Sequence, residues 1–144
     1  MDDLNELTGS IVGAAIEVHR NLGPGLLESA YECYLLWELR QKDLEVETQS
    51  PVPIRYKGIQ LDAGFRIDLL VQDNIIVEMK AMDKIQPIHT AQVLTFLKMT
   101  NLKMAPILNF NVELMRSGIK RIINDFLFSL RPLCLCGDTC LRFR

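Results

Sequence analysis

The sequence predicts a single α/β domain in which two helices lead into a sheet, with the order α-α-β-β-β-α-β. Three observations carry this reading. Apolar residues recur at helical spacing through the first 41 residues, β-branched runs separated by turn signals follow, and helical spacing returns over residues 88–100.

Residues 4–20 form an amphipathic helix, because Leu7, Ile11, Ala14 and Val18 share the 3.6-residue period while Glu6, Glu17 and Arg20 are polar. Asn21-Leu22-Gly23-Pro24-Gly25 stops it. A second helix is expected from Pro24 to Gln41, with the proline in its first turn. Its apolar residues are dense (Leu26, Leu27, Ala30, Tyr34, Leu35, Trp37), which predicts burial on most sides, with Cys33 in the core. Residues 45–56 read as an edge strand interrupted near Pro51 and Pro53. After the Lys57-Gly58 turn, residues 59–71 read as a second strand bent at Gly64. Gln72-Asp73-Asn74 is a tight turn, and Ile75–Ala81 is a third strand. Ile88–Thr100 is helical, Pro106–Phe110 is a short buried strand, Gly118–Ile123 has the pattern of another, and Asn124–Leu130 suggests a last turn of helix.

A chain of 144 residues, 49% hydrophobic and 24% charged, has the balance of a water-soluble globular domain. No apolar run reaches the roughly 20 residues that span a bilayer. The acidic start Met1-Asp2-Asp3 is not a secretory leader, so a cytoplasmic location and no membrane partner are expected. A net charge of −2 argues against coating nucleic acid by charge alone. The charge is unevenly spread: residues 1–100 carry 9 Lys/Arg against 15 Asp/Glu, and residues 101–144 carry 7 against 3. Either the basic end faces phosphates while the acidic part holds a cation, or the asymmetry is a solvated surface with no role. Cys134, Cys136 and Cys140 form C-x-C-x3-C but lack the fourth ligand of a zinc site. Residues 1–130 are therefore taken as the domain and 131–144 as a cysteine-containing tail.

The third strand holds the anomaly. Alternation puts Ile75, Val77, Met79 and Ala81 on one face and Ile76, Glu78 and Lys80 on the other. Charges on so apolar a strand are costly unless paired or metal-bound. A three-residue loop at 72–74 pairs Val71 with Ile75 and puts Asp68 opposite Glu78; a two-residue loop would split the acids across the sheet. Asn74 tolerates the left-handed backbone that such a loop needs. Opposed carboxylates repel unless a cation neutralises them, and oxygen ligands suit Mg²⁺ or Mn²⁺. Lys80, beside them, can orient a water or stabilise charge on a phosphoryl oxygen. On charge pattern alone, an ordinary Glu78–Lys80 salt bridge on a half-exposed strand explains the residues equally well.

Asp68 followed by Glu78-Met79-Lys80 resembles the D-x(n)-E-x-K core of the PD-(D/E)XK nucleases. Gly25-Leu26-Leu27-Glu28-Ser29-Ala30-Tyr31 is similar to the signature of the GxxExxY proteins, a family assigned to that superfold. The similarity extends through Ile75–Ala81, His89–Gln92, Leu108–Phe110 and Gly118–Arg121, roughly residues 5–124. The resemblance implies a restriction-endonuclease-like core, a mixed central sheet flanked by helices. It implies catalytic residues Asp68, Glu78, Lys80, Glu28 and Gln92, with Asp68, Glu78 and Glu28 near the metal, directly or through water. Tyr31 would hydrogen-bond Glu28 or a phosphate, or else be a core aromatic. Ile67 replaces the proline of the family's name. His89 reads as a helix-entry residue rather than a base.

Two functions follow. One is a Mg²⁺- or Mn²⁺-dependent nuclease acting on DNA, with RNA second, for which a homodimer would suit cutting both strands. The other is a non-catalytic nucleic-acid- or protein-binding module that retains the nuclease fold.

Overall fold

Apolar residues three and four apart build α1 (Asp2–Leu22), which buries Ile11, Ala14, Ala15 and Val18 along one stripe. Asp2 and Asp3 in its first turn and Arg20 in its last complement the helix dipole. The computed structural model describes residues 2–62 and 64–125. Gly23, at φ +68°, closes α1 by donating its N–H to the His19 carbonyl at 2.7 Å.

The second helix, α2 (Glu28–Gln41), begins four residues later than the sequence predicts. Gly25 sits at φ +102° and Leu27 is extended, so Pro24 belongs to the connection and not to the first turn. Nor is α2 buried on most sides. It buries Tyr31, Leu35 and Leu39, spaced four apart, and leaves Cys33, Tyr34 and Trp37 exposed on the other side. The sheet covers one face of the helix only.

The two predicted strands before the turn become four. Residues 45–56 divide into β1 (Val46–Pro51) and β2 (Ile54–Tyr56), and 59–71 into β3 (Ile59–Leu61) and β4 (Arg66–Val71). The prolines break the first, and Gly64 at φ +81° marks the break in the second. Then follow β5 (Ile75–Lys80), α3 (Pro87–Thr100), β6 (Met104–Asn109), a 3-10 turn at Met115–Gly118 and β7 (Ile119–Ile123).

The main sheet has the order β1-β4-β5-β6-β7, and β2-β3 form a separate ribbon. β5 and β6 run parallel across the α3 crossover, and the other neighbours are antiparallel. β1 is an edge strand, which suits Pro51 at its end. One face of the sheet carries the α1 and α2 side chains packed on Leu69, Val71, Val77 and Met79. The other carries Val93, Phe96 and Leu97 of α3 packed with Ile67, Ile76 and Ile107. The mixed sheet is flanked by helices, as expected.

The β4–β5 loop is the predicted three residues, with Val71 opposite Ile75. Its left-handed residues are Gln72 and Asp73 rather than Asn74. Gln72 exchanges hydrogen bonds with the Glu45 backbone in both directions, each 2.8 Å, which offsets the cost of that conformation. At the start of α3, His89 Nδ1 accepts the Gln86 N–H at 2.9 Å, so His89 is the helix-entry residue the sequence suggests. Asn124 and Asp125 are not helical. Asn124 instead donates its N–H to the Lys103 carbonyl. The rest of the expected last helix, the 131–144 tail and its three cysteines lie outside the described residues. No helix among the described residues is long and apolar enough to cross a membrane.

Candidate active site

Central position explains why β5 is so apolar: Ile75 to Met79 are all buried between two helical layers. Glu78 lies inside that run, 4% exposed. The ladder between β4 and β5 holds for Val71–Ile75, Leu70–Ile76 and Leu69–Val77, so the next opposed pair is Asp68 and Glu78. There the backbone pairing ends. The Asp68 carboxylate takes over, its Oδ2 accepting the Met79 N–H at 2.8 Å. The facing of β4 also changes at this point. Ile67 belongs to the α3-side cluster and Leu69, two residues on, to the α1/α2-side cluster. Strict alternation would put both on one face, so the strand rotates at Asp68. The register predicted from loop length brings the two acids together at the point where the β4–β5 pairing ends.

Lys80 Nζ lies 3.6 Å from Glu78 Oε2, and both side chains are largely buried. The other oxygen, Glu78 Oε1, is buried and has no hydrogen-bond partner. Burial, reinforced by the Asp68 negative charge and opposed by the Lys80 ammonium, pushes the Glu78 carboxyl up to about 8. A simple salt bridge on a half-exposed strand would produce neither feature. The buried Asn109 braces the exits of the neighbouring strands. Its Oδ1 accepts the N–H groups of Met82 and Asn111, and its Nδ2 donates to the Met82 carbonyl at 2.8 Å. Since Asn109 pairs with Lys80 in the parallel ladder, these bonds fix the strand end that carries the lysine.

The helix contributes differently from expectation. Glu28 is exposed in the first turn of α2. One turn later Glu32 is half-buried, and burial first, then the Asp68 and Glu28 charges, hold its carboxyl above the usual range against the opposing Gln49 hydrogen bond. Gln49 links the two acids: its Nε2 donates to Glu32 Oε1 at 3.1 Å and to Asp68 Oδ1 at 3.5 Å. Its backbone is left-handed at φ +52° within β1, an uncommon conformation for such a residue. Glu32 and Gln49 are the site residues that sequence reasoning missed. Glu32 sits one helical turn from Glu28, and Gln49 is the residue that the β1–β4 register sets opposite Asp68. Gln92 lies on α3 in a cleft lined by Ile54, Phe65, Ile88 and Phe96, with no acidic side chain in the lining.

Tyr31 is a core aromatic. It stacks on Phe110 at a centroid distance of 4.4 Å, donates its hydroxyl to the Gly23 carbonyl, and accepts the Leu26 N–H at 3.2 Å. It therefore pins the glycine loop that starts α2. Tyr31→Phe keeps the stacking and is expected to cost about 1–2 kcal/mol in urea unfolding, against about 3–5 kcal/mol for Tyr31→Ala. A Tyr31→Phe protein of unchanged stability but weakened phosphate binding would reverse this assignment.

An implied divalent ion can be tested against these donors. Hard oxygens, one of them buried without a donor beside a second carboxylate, fit Mg²⁺ or Mn²⁺. Among the described residues no three His, Cys, Asp or Glu side chains converge as a ligand group, so Glu28 does not join Asp68 and Glu78. That arrangement still fits Mg²⁺, which keeps several waters and takes one or two carboxylates.

A mixed sheet between helical layers carries an aspartate where the β4–β5 ladder ends and an E-x-K pair on the neighbouring strand, the pattern of an acid–lysine nuclease core. The chain belongs to the PD-(D/E)XK nuclease superfamily, whose profile matches residues 5–122. Its fold is restriction-endonuclease-like. Comparison with curated proteins and with solved structures found no match.

Proposed function

We propose that the chain is a divalent-metal-dependent nuclease that hydrolyses phosphodiester bonds of DNA. The observation that carries this reading is the buried, unpartnered Glu78 Oε1 between Asp68 and Lys80. Asp68 is held in place by the Met79 N–H, with its carboxylate where the β4–β5 pairing ends. Glu78 supplies the second carboxylate. Asp68 and Glu78 would hold a divalent ion, which when bound would polarise the phosphate and lower the pKa of water. Lys80 offsets the charge of Glu78 and is placed to stabilise negative charge on a phosphoryl oxygen. Glu32 acts through water or through Gln49, which keeps both acids in position, whereas the resemblance places Glu28, one helical turn earlier, near the metal directly or through water. Superfamily membership supports a nucleic-acid partner.

Purified protein with Mg²⁺ or Mn²⁺ is expected to cut plasmid or single-stranded DNA, with RNA assayed alongside. Asp68→Ala should lower the rate by at least about 10²-fold without unfolding the chain. Equal cleavage by wild type and Asp68→Ala would assign the activity to a contaminant or another site. A chain that cuts nothing with either metal is the non-catalytic module.

A further inference from the structure

The two strands outside the main sheet form a ribbon paired Ile54–Leu61, Arg55–Gln60 and Tyr56–Ile59. Opposed residues share a face, and side chains alternate along each strand. Ile54, Tyr56, Ile59 and Leu61 therefore make one apolar face. Arg55 and Gln60, bonded at 3.0 Å, make the other. Of the apolar four, Ile54 packs on the core. Tyr56, Ile59 and Leu61 are 65, 57 and 61% exposed. An isolated two-stranded ribbon is marginal in water, so a bare apolar face on one calls for a partner.

Its position and charge indicate which partner. The Val52 N–H donates to the Phe65 carbonyl at 3.0 Å and closes the ribbon's base onto the β1–β4 pair. Gln49 and Asp68 each lie three residues from that base, about 10 Å at the rise of a strand. The ribbon thus leaves the sheet at the end that holds the carboxylates. The ribbon strands and their turn, residues 54–61, contain Arg55 and Lys57 and no acid, and Asp62 at the base is bonded to Arg66, within a hundred residues whose balance is acidic. Lys57 Nζ is 5.3 Å from the Tyr56 ring centroid. An exposed aromatic with a cation beside it suits a base and its phosphate.

We propose that this ribbon is a binding arm for single-stranded nucleic acid, with a base stacked on Tyr56 and an adjacent phosphate neutralised by Lys57. Ile59 and Leu61 extend the apolar surface under the neighbouring base. The proposal rests on the nuclease reading and narrows its substrate to an unpaired segment, because a duplex hides the base faces that stacking requires.

The test is fluorescence anisotropy in EDTA with a short labelled oligothymidylate and a duplex of equal length. Wild type should prefer the single strand. Tyr56→Ala should weaken that binding roughly 5- to 150-fold, while Tyr56→Trp retains it. Lys57→Ala should reduce the slope of log K against log salt by about 0.7. Circular dichroism of these exposed-position variants should match wild type. Equal binding by wild type and Tyr56→Ala overturns the arm, as does a wild type that does not bind oligothymidylate. So does a concentration-dependent dimer that Ile59→Glu dissociates, which would make a second copy the occupant. The two readings fail separately. If wild type cleaves in Mg²⁺ but Tyr56→Ala binds normally, the arm falls and the nuclease stands. If Tyr56 is needed for binding but no metal supports cleavage, the arm stands on a non-catalytic module.

Discussion

Glu78→Gln is expected to raise the stability of the metal-free protein by on the order of 4 kcal/mol at pH 9 and to leave it nearly unchanged at pH 4. The sign follows from the direction of the shift. Glu78 titrates near 8 in the fold, against 4.5 as its ordinary value, because it is buried and faces Asp68. Below pH 4.5 the carboxyl is protonated folded or unfolded, and the two states bind the same number of protons. Between about 4.5 and 8 only the unfolded chain releases the proton, so stability falls with rising pH. Above 8 the full penalty is present. A neutral amide of the same shape removes this slope. Urea unfolding in EDTA across that range measures it, and parallel pH profiles for the two proteins would show that Glu78 ionises as freely in the fold as outside it. With Mg²⁺ present the order should narrow or reverse. Wild type gains binding energy that Glu78→Gln cannot, and below pH 8 it should release a proton as the ion binds.

Lys80→Met carries the second large effect. At pH 9 it leaves Glu78 without its ammonium, 3.6 Å away in the present structure, and should cost about 1–2 kcal/mol, because the carboxyl can take back its proton for roughly 1.4 kcal/mol one pH unit above its pKa of about 8. At pH 6 the carboxyl is mostly protonated, and the cost should fall below about 1 kcal/mol. In a Glu78→Gln background the substitution should be nearly neutral at either pH, since the charge it would expose is gone. A cost independent of both pH and Glu78 would mean that Lys80 contributes by packing alone. Cleavage should drop by about 10²–10³-fold in every background with the lysine removed, as expected for loss of a charge-stabilising group. Stability and activity thus separate: Glu78→Gln gains the first and loses the second, as a site that sacrifices folding energy for function should.

The heart of the site was readable from the chain because it lies on adjacent strands. Three residues between Val71 and Ile75 fix the register, and register fixes which residue faces Glu78. Glu78 and Lys80 announced themselves as charges in an apolar run. Likewise, β-branched runs, proline breaks and helical spacing located the sheet and its covering helices. The errors at the start of α2 and in the 72–74 loop are local, whereas those that bear on α2 packing and the site involve distances between elements. Periodicity does not tell which side of α2 meets the sheet, and Cys33, Tyr34 and Trp37, apolar enough for a core, lie on the side that faces away from it. A conspicuous motif drew attention to Glu28, whereas the packing of α2 on the sheet makes Glu32 the acid that feels Asp68.

By itself, then, the sequence determined an α/β domain with Asp68 opposite Glu78 and Lys80 beside it, and its resemblance to the PD-(D/E)XK nucleases supplied the nuclease type. Strand spacing and side-chain alternation are properties of the backbone, the same in any sheet. The tertiary structure alone decided that Gln49 bridges Glu32 to Asp68, that Tyr31 anchors a loop, and that the Tyr56 ribbon stands free. Those outcomes depend on how helices settle on a twisted sheet, where a rotation of one helical position exchanges one side chain for another at the contact.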